Sequence, residues 1–484
     1  MSQQVIHTRT LIVGSGFSGL AMAIALKKAG DDDFIILEKA REVGGTWREN
    51  HYPGAECDVA SALYCYSFEP NPEWRYKWSE QPQIFSYLKQ VAQKYDIYRH
   101  VQFERNLIEA HYGGDAGYWR LRCADGSVYH SQFWVSAVGQ LHRPMIPEIP
   151  GKQAFRGAQF HSAEWDHSVD LRDKRVAVIG NAASAVQFIP QIAPQVKQLT
   201  VLQRSANWVL PKLDRPYREW EKALSRRLPI AAKFYRLLLW LRSEVLLFPL
   251  MAGNPLLQWW AKTMNRRYLR RHIDDPELRR KLTPDYPVGA KRVLFSDDYY
   301  SALARGNTQL VDTPVRRLNE EGIELESGEQ LDVDVLIYGT GFRTNPFLAG
   351  IDVRAEDNSS LADKWRGGAE AYLGVACAGV PNFFMMYGPN TNLGHNSIVL
   401  MAESQARYIA ALLARTKTTI EVDAQAQQDY NREIQRRLQR MVWNRVADSW
   451  YRDGGKITNN WPGRCAEYAR RTRRPNWRHF RFGS

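Results

Sequence analysis

A chain of 484 residues exceeds what one compact hydrophobic core organises and suits two or three packed units. Hydrophobic content of 44% with charged content of 24% excludes a disordered or fibrous chain. Much of the net charge of +13 sits at the C-terminus, where Arg464, Arg470, Arg471, Arg473, Arg474, Arg478 and Arg481 face only Glu467; a solvated basic tail of this kind implies no nucleic-acid partner by itself.

The cysteines, Cys57, Cys65, Cys123, Cys377 and Cys465, include no C-x-x-C pair and form no metal-ligand grouping. With no N-terminal apolar targeting run, they point to a reducing cytoplasm, without a disulfide framework or a metal. Thr8 to Val13 predicts a buried parallel strand, followed by Gly14-Ser15-Gly16-Phe17-Ser18-Gly19 and an Ala/Leu-rich helix that Gly30 can stop. Phe34 to Leu37 predicts the next strand, ending in Glu38, whose carboxylate suits an adenosine ribose. Strand, glycine loop, helix, strand and acid together predict a dinucleotide site, because glycines let backbone approach a pyrophosphate at a helix N-terminus. Gly14, Gly16, Ser18, Gly19 and Glu38 are its candidate residues.

Gly44-Gly45-Thr46-Trp47 then offers a close-approach turn and an aromatic wall. Tyr52-Pro53-Gly54-Ala55-Glu56-Cys57-Asp58 follows, in which Asp58 by itself reads as a turn residue or helix cap. The aromatic-rich segment from Tyr64 to Trp78 lines a cavity or anchors a loop. Phe133 to Val138 predicts another strand, and Pro144, Pro147 and Pro150 suit a stiff crossing between units. Next come Phe155, Gly157, His161, Trp165 and Asp166, spaced F-x-G-x-x-x-H-x-x-x-W-D. A second nucleotide turn follows at once in Gly180-Asn181-Ala182-Ala183-Ser184-Ala185. It keeps only the first glycine; Ala185 is an accepted third position, whereas the Ala182 methyl stands where backbone should approach phosphate. Gly180, Ser184 and Gln187 are its candidate residues. Leu199 to Leu202 predicts the following strand, ending in Gln203-Arg204-Ser205, and an arginine with a hydroxyl suits a ribose 2′-phosphate, favouring NADPH over NADH.

From about residue 217 to 282 the pattern is helical, an insertion whose apolar face serves as core, covers a lipophilic substrate or touches a membrane surface. The apolar run from Leu237 to Gly253 contains Arg242 and Glu244 and is a poor membrane span. Asp285-Tyr286-Pro287-Val288-Gly289-Ala290-Lys291-Arg292 carries adjacent cations. Val333 to Tyr338 predicts a strand before Gly339-Thr340-Gly341-Phe342, and Phe383 to Tyr387 with a helix from Ser397 to Leu413 completes the chain's return to its first unit.

The linker spacing, the GGTW, YPGAxCD and YPVGAKR segments and the GTGF turn, in this order, resemble the type I Baeyer-Villiger monooxygenases, flavoenzymes that use FAD and NADPH. The resemblance spans nearly the whole chain. It implies an α/β fold of two doubly wound Rossmann-like dinucleotide-binding domains. The FAD domain would be built from residues 1–150 and 331–484, and the NADP domain from 151–330 with a helical insertion at about 217–282. Hydride would pass from NADPH to FAD, O2 would give a C4a-peroxyflavin, and attack on a ketone would give an ester or lactone.

Arg292 and Asp58 are then the catalytic candidates: Asp58 beside flavin and nicotinamide, Arg292 against the flavin, and Lys291 on the NADP 2′-phosphate. Thr46, Trp47 and Tyr64 join the flavin side, Arg204 and Ser205 the NADP side, and His161 coordinates domain movement. The tail through Trp443, Trp450-Tyr451 and Trp461 resembles the family's mobile segment over the active site. The expected partners are a small-molecule ketone and O2, with no nucleic acid; peripheral membrane contact stays open. Oxygenation of amines or sulfides, and a non-oxygenating flavin redox sensor, are the alternative readings.

Overall fold

Val5–Val13, rich in aliphatic and β-branched residues, is the strand on which the larger sheet is laid. In this computed structural model, residues 5–113, 117–446 and 449–483 are described. Val5–Val13 pairs in parallel with Phe34–Leu37 on one side and Val128–Ser136 on the other. Phe383–Met385 also pairs in parallel with Val128–Ser136, and Leu107–Gly113 and Tyr118–Cys123 extend the eight-stranded sheet as an antiparallel meander. The helix Phe17–Lys28 runs back along this sheet beside Ile398–Arg415, and the chain leaves the first helix through Gly30 at φ +79°.

A second sheet of five strands is entirely parallel. Arg175–Ile179 lies between Gln198–Leu202 and Val335–Tyr338, with Thr308–Val311 and Ala158–His161 at the edges. Val178, Leu199, Val201, Leu336 and Ile337 are wholly buried, as continuous apolar strands covered on both faces must be. In each sheet the chain reverses its direction of winding beside the first strand of the unit. The crevice at the C-terminal end of that strand therefore falls at Gly14–Gly19 in one sheet and at Gly180–Ala185 in the other. The fold is α/β, with two doubly wound units.

One sequence expectation moves. The sequence places the strand Val335–Tyr338 in the returning part of the first unit, from residue 331 onward, yet its partners are Ala158–His161 and Arg175–Ile179. The crossing comes after it, where the outgoing and returning segments bond to each other: Met145 N–H donates to Gly341 O at 2.9 Å and Arg343 N–H to Arg143 O at 2.9 Å. The aromatic segment from Tyr64 to Trp78 is also largely core: Tyr66, Trp74 and Trp78 are buried, the first two around Phe17 and Tyr87.

Between Glu219 and Lys281 the chain is helical, as Glu219–Arg227, Pro229–Arg242, a π-helical turn Ser243–Leu247, Phe248–Met251, Pro255–His272 and Pro276–Lys281. Among the described residues no single helix is long and apolar enough to cross a membrane.

Candidate active site

The first nucleotide turn is held by packing at two glycines and left open at the third. A side chain at Gly14, whose φ is +101°, would run into the Ala137 carbonyl, and one at Gly19 would overlap the Gly14 carbonyl. A Cβ at Gly16 would meet nothing nearer than Gly45 Cα, at the ordinary contact distance of 3.5 Å. Gly16 caps the helix Phe17–Lys28 without a side-chain acceptor, so the first-turn N–H groups, Ser18 among them, face that opening. Glu38 is buried and accepts from Ser15 N–H at 3.0 Å, Ser15 Oγ at 2.6 Å and Ala40 N–H at 3.0 Å, with Arg48 Nη1 at 3.2 Å. Its carboxylate thus ties the glycine loop to the next strand as well as closing the crevice. Sequence reasoning missed Arg48. Thr46 is exposed at the start of Thr46–Glu49, while buried Trp47 donates Nε1–H to the Tyr64 hydroxyl at 3.1 Å.

The second turn repeats this geometry. A side chain at Gly180, also at φ +101°, would overlap the Gly339 carbonyl. Ala182 is exposed at the head of Ala183–Ile192, with Ser184 half-buried in the first turn. Gln187, expected at the cofactor, is spent elsewhere. Its Oε1 accepts from the Tyr52 hydroxyl at 2.7 Å and Glu56 N–H at 3.3 Å, and its Nε2 donates to Glu56 O at 3.0 Å. It clasps the YPGAECD loop to the second unit. Tyr52 also bonds Ser184, and burial raises its hydroxyl pKa. At the strand end, Arg204 is exposed, and Lys291 Nζ donates to Ser205 Oγ at 3.1 Å, so the two cationic positions and the hydroxyl form one corner.

Asp58 and Arg292, 234 residues apart, meet in a bidentate pair: Nε donates to Oδ2 at 2.7 Å and Nη2 to Oδ1 at 2.7 Å. The Asp58 charge raises the Arg292 pKa, keeping the guanidinium cationic. Arg292 nevertheless retains 39% side-chain exposure, which leaves part of the planar fork open. The segment before it is fixed by Trp208 Nε1–H to Tyr286 O at 2.9 Å and by Val288 N–H to Gln258 Oε1 at 3.0 Å.

Tyr387 and Tyr451 are within reach of the Arg292 charge. Burial pushes the Tyr451 hydroxyl up to about 12, against the pull of Arg292. Tyr387 donates to Asn392 Oδ1 at 2.7 Å, and Asn392 Nδ2 to Asn460 Oδ1 at 2.7 Å, carrying the network into the C-terminal segment. A second ion pair joins the units: buried Lys212 bonds Glu56, whose carboxyl burial pushes up to about 7 although Lys212 opposes it. Neither partner carries a local sequence signal. His161 is fully buried, accepts from Ala163 N–H through Nδ1 at 3.0 Å and has no partner at Nε2 among the described residues. Burial pushes its pKa down to about 4, so it is neutral at pH 7.

Known proteins share this chain's sequence and fold over nearly its whole length. The model of the flavin-binding monooxygenase-like family matches residues 7–365. A Baeyer-Villiger monooxygenase of Pseudomonas aeruginosa is 42% identical over 467 residues, covering 94% of this chain and 88% of that protein. One of Streptomyces coelicolor is 40% identical, covering 97% and 91%. The chain belongs to the flavin-binding monooxygenase-like family, among the Baeyer-Villiger monooxygenases. Solved structures of this family superpose closely. A steroid monooxygenase bound to NADP gives a TM-score of 0.88 at 29% identity, over 98% of this chain and 99% of that one. The OTEMO complex with FAD and NADP gives 0.88 at 28% identity, over 99% and 100%.

Proposed function

We propose that this Baeyer-Villiger family member consumes NADPH and O2, through bound FAD, to insert one oxygen atom into a ketone and form an ester or lactone. The observation that carries the proposal is the half-buried, doubly bonded Arg292–Asp58 pair, which ties the loop after the first nucleotide turn to the segment carrying Lys291. Gly16 and Gly45, back to back with no side chain between them, fit the pyrophosphate of FAD, and the Lys291–Ser205 corner with Arg204 fits a 2′-phosphate. The FAD unit is assigned to the sheet built on Val5–Val13, the NADP unit to the sheet built on Arg175–Ile179, with the helices of 219–281 inserted in the latter.

FAD, reduced by NADPH, supplies activation of O2 and transfer of one of its oxygen atoms. The chain's part is positioning and charge. Nucleophilic attack on a ketone builds negative charge on the carbonyl oxygen, and a preorganised guanidinium stabilises it more in the transition state than in the ground state. Asp58 keeps Arg292 in one orientation, and the free edge of its fork is the donor for that oxygen. Oxygenation of an amine or sulfide builds no such charge on a carbonyl oxygen, so this arginine favours ketones. The buried cysteines, all unpaired, suit a reducing cytoplasm.

Arg292→Ala is expected to keep its flavin absorbance and to consume NADPH, while ester formed per NADPH falls about 10²–10³-fold and hydrogen peroxide takes its place. Arg292→Lys rescues little, because one ammonium does not reproduce a planar donor fork. Ester yield near the wild-type level in Arg292→Ala would sink the proposal.

A further inference from the structure

The helical insertion presents to solvent a surface that the rest of the chain does not cover. Among the described residues, the exposed large hydrophobic side chains other than Met145, Leu213 and Phe482 all lie between Trp220 and Trp260. On Pro229–Arg242 and the π-helical turn after it they recur at Ile230, Phe234, Leu237, Leu241 and Val245, spacing that makes one continuous helical face. Ile230 is 76% exposed, Phe234 60%, and Trp259 on the following helix 69%. Single exposed apolar side chains are ordinary; a stripe running through consecutive helices marks an interaction surface.

The inner side of the insertion is already engaged. Arg236 Nη2 donates to Cys65 O at 3.2 Å, and Gln258 Nε2 donates to Val288 O at 2.8 Å. The outward stripe is therefore neither core nor a lid over the proposed site. Its charge is strongly positive: from Lys222 to Arg271 the sequence carries eleven lysines and arginines and one acid, Glu244, with Glu219 and Glu73 pairing from outside this span with Lys222 and Arg226. Glu244 is buried under His395, Asn396 and the backbone of Cys465 and Ala466, so it offsets nothing at the surface. Arg226, Arg227, Arg242, Arg266 and Arg270 are exposed.

We propose that this face docks the protein on an anionic lipid bilayer. The apolar stripe lies at the boundary of headgroups and acyl chains, and the arginines meet the lipid phosphates. The surface lies on the membrane and does not span it: the helices Pro229–Met251 and Pro255–His272 are bent by 97° to each other, and neither alone is long and apolar enough to cross. Charge selects this occupant over a second copy of the chain, because pairing the face with itself would bring two net-cationic surfaces together.

The test uses flavin-loaded protein and sedimentation with lipid vesicles. Vesicles of phosphatidylcholine containing phosphatidylglycerol are expected to carry the protein down, with a blue shift of tryptophan emission, and pure phosphatidylcholine to carry far less. Added salt weakens the binding. Arg227→Gln with Arg242→Gln is expected to lower partitioning about thirtyfold, a little over fivefold for each arginine removed. Phe234→Glu with Trp259→Glu abolishes it, and both double variants keep their flavin and their turnover of a water-soluble ketone. No sedimentation with the anionic vesicles, or equal binding to neutral ones, overturns the proposal. So does a wild-type dimer in gel filtration that Phe234→Glu with Trp259→Glu converts to monomer, since a second copy would then be the occupant.

Discussion

The two nucleotide turns share one backbone and differ in where a methyl is allowed. Gly16 and Ala182 head their helices with nearly the same dihedral angles, φ −78° and ψ −165° against φ −77° and ψ −168°. Gly14 and Gly180 both stand at φ +101° against the carbonyl of the strand across the switch point, at Ala137 and Gly339. At the third position the turns trade residues. The first puts glycine in the helix, at Gly19, and alanine just past the neighbouring strand, at Ala137; the second puts Ala185 in the helix and Gly339 just past the strand, where a Cβ would come 3.1 Å from that of Ala185. Packing thus limits a methyl at both turns through different neighbours, the Gly14 carbonyl at Gly19 and the Ala185 methyl at Gly339. The middle position is different: Gly16 has room around it in the protein itself, so its glycine answers to a ligand.

This contrast can be broken in four ways. The largest effect is expected from Gly19→Ala, whose methyl would overlap the backbone carbonyl of Gly14 with no side chain free to yield. A cost of about 3 kcal/mol or more follows, visible as a lower thermal midpoint and lost flavin; a variant as stable as wild type would show that the packing limit is not where it is drawn.

Gly16→Val should separate ligand from fold. Flavin absorbance per protein is expected to vanish, with the secondary structure seen by circular dichroism retained, because a Cβ there meets the backbone of Gly44 and Gly45 only at ordinary contact distance. Stoichiometric flavin in the purified variant would remove Gly16 from the pyrophosphate.

Arg204→Ala probes the second turn's ligand. Loss of one charge-assisted hydrogen bond, on the order of 1.5–3 kcal/mol, should raise the apparent NADPH constant about tenfold or more and leave NADH nearly unchanged. Equal losses for both cofactors would contradict a 2′-phosphate at that corner.

The smallest effect is the sharpest test of the exchange. Gly339→Ala adds a methyl 3.1 Å from that of Ala185 and should cost about 1 kcal/mol. Combining it with Ala185→Gly should recover most of that loss, a coupling read from thermal midpoints in a double-mutant cycle. Strict additivity would mean that the two residues do not share the space.

Much of this molecule is written locally. The turns at Gly14 and Gly180, the acid at Glu38 and the basic strand end at Arg204 are legible because the strand, turn and helix of a nucleotide crevice occupy a few tens of contiguous residues. Their spacing alone states the geometry. Asp58, Lys291 and Arg292 were reached only through their resemblance to a family, since an aspartate in a loop and two adjacent cations have ordinary surface readings.

Tertiary structure alone decided the contacts between distant segments. It joined Asp58 to Arg292, turned Gln187 from a cofactor candidate into a clasp on Tyr52 and Glu56, and set Lys212 against Glu56. It also placed Val335–Tyr338 in the second sheet, because a strand's composition says that it pairs and not with which neighbour. The helical insertion shows the limit most plainly. Its apolar period is the same whether the face is buried in a core, laid over a substrate or turned to a membrane. The sequence determines that such a face exists, and only the packing of the rest of the chain decides that Ile230, Phe234 and Trp259 are left outside.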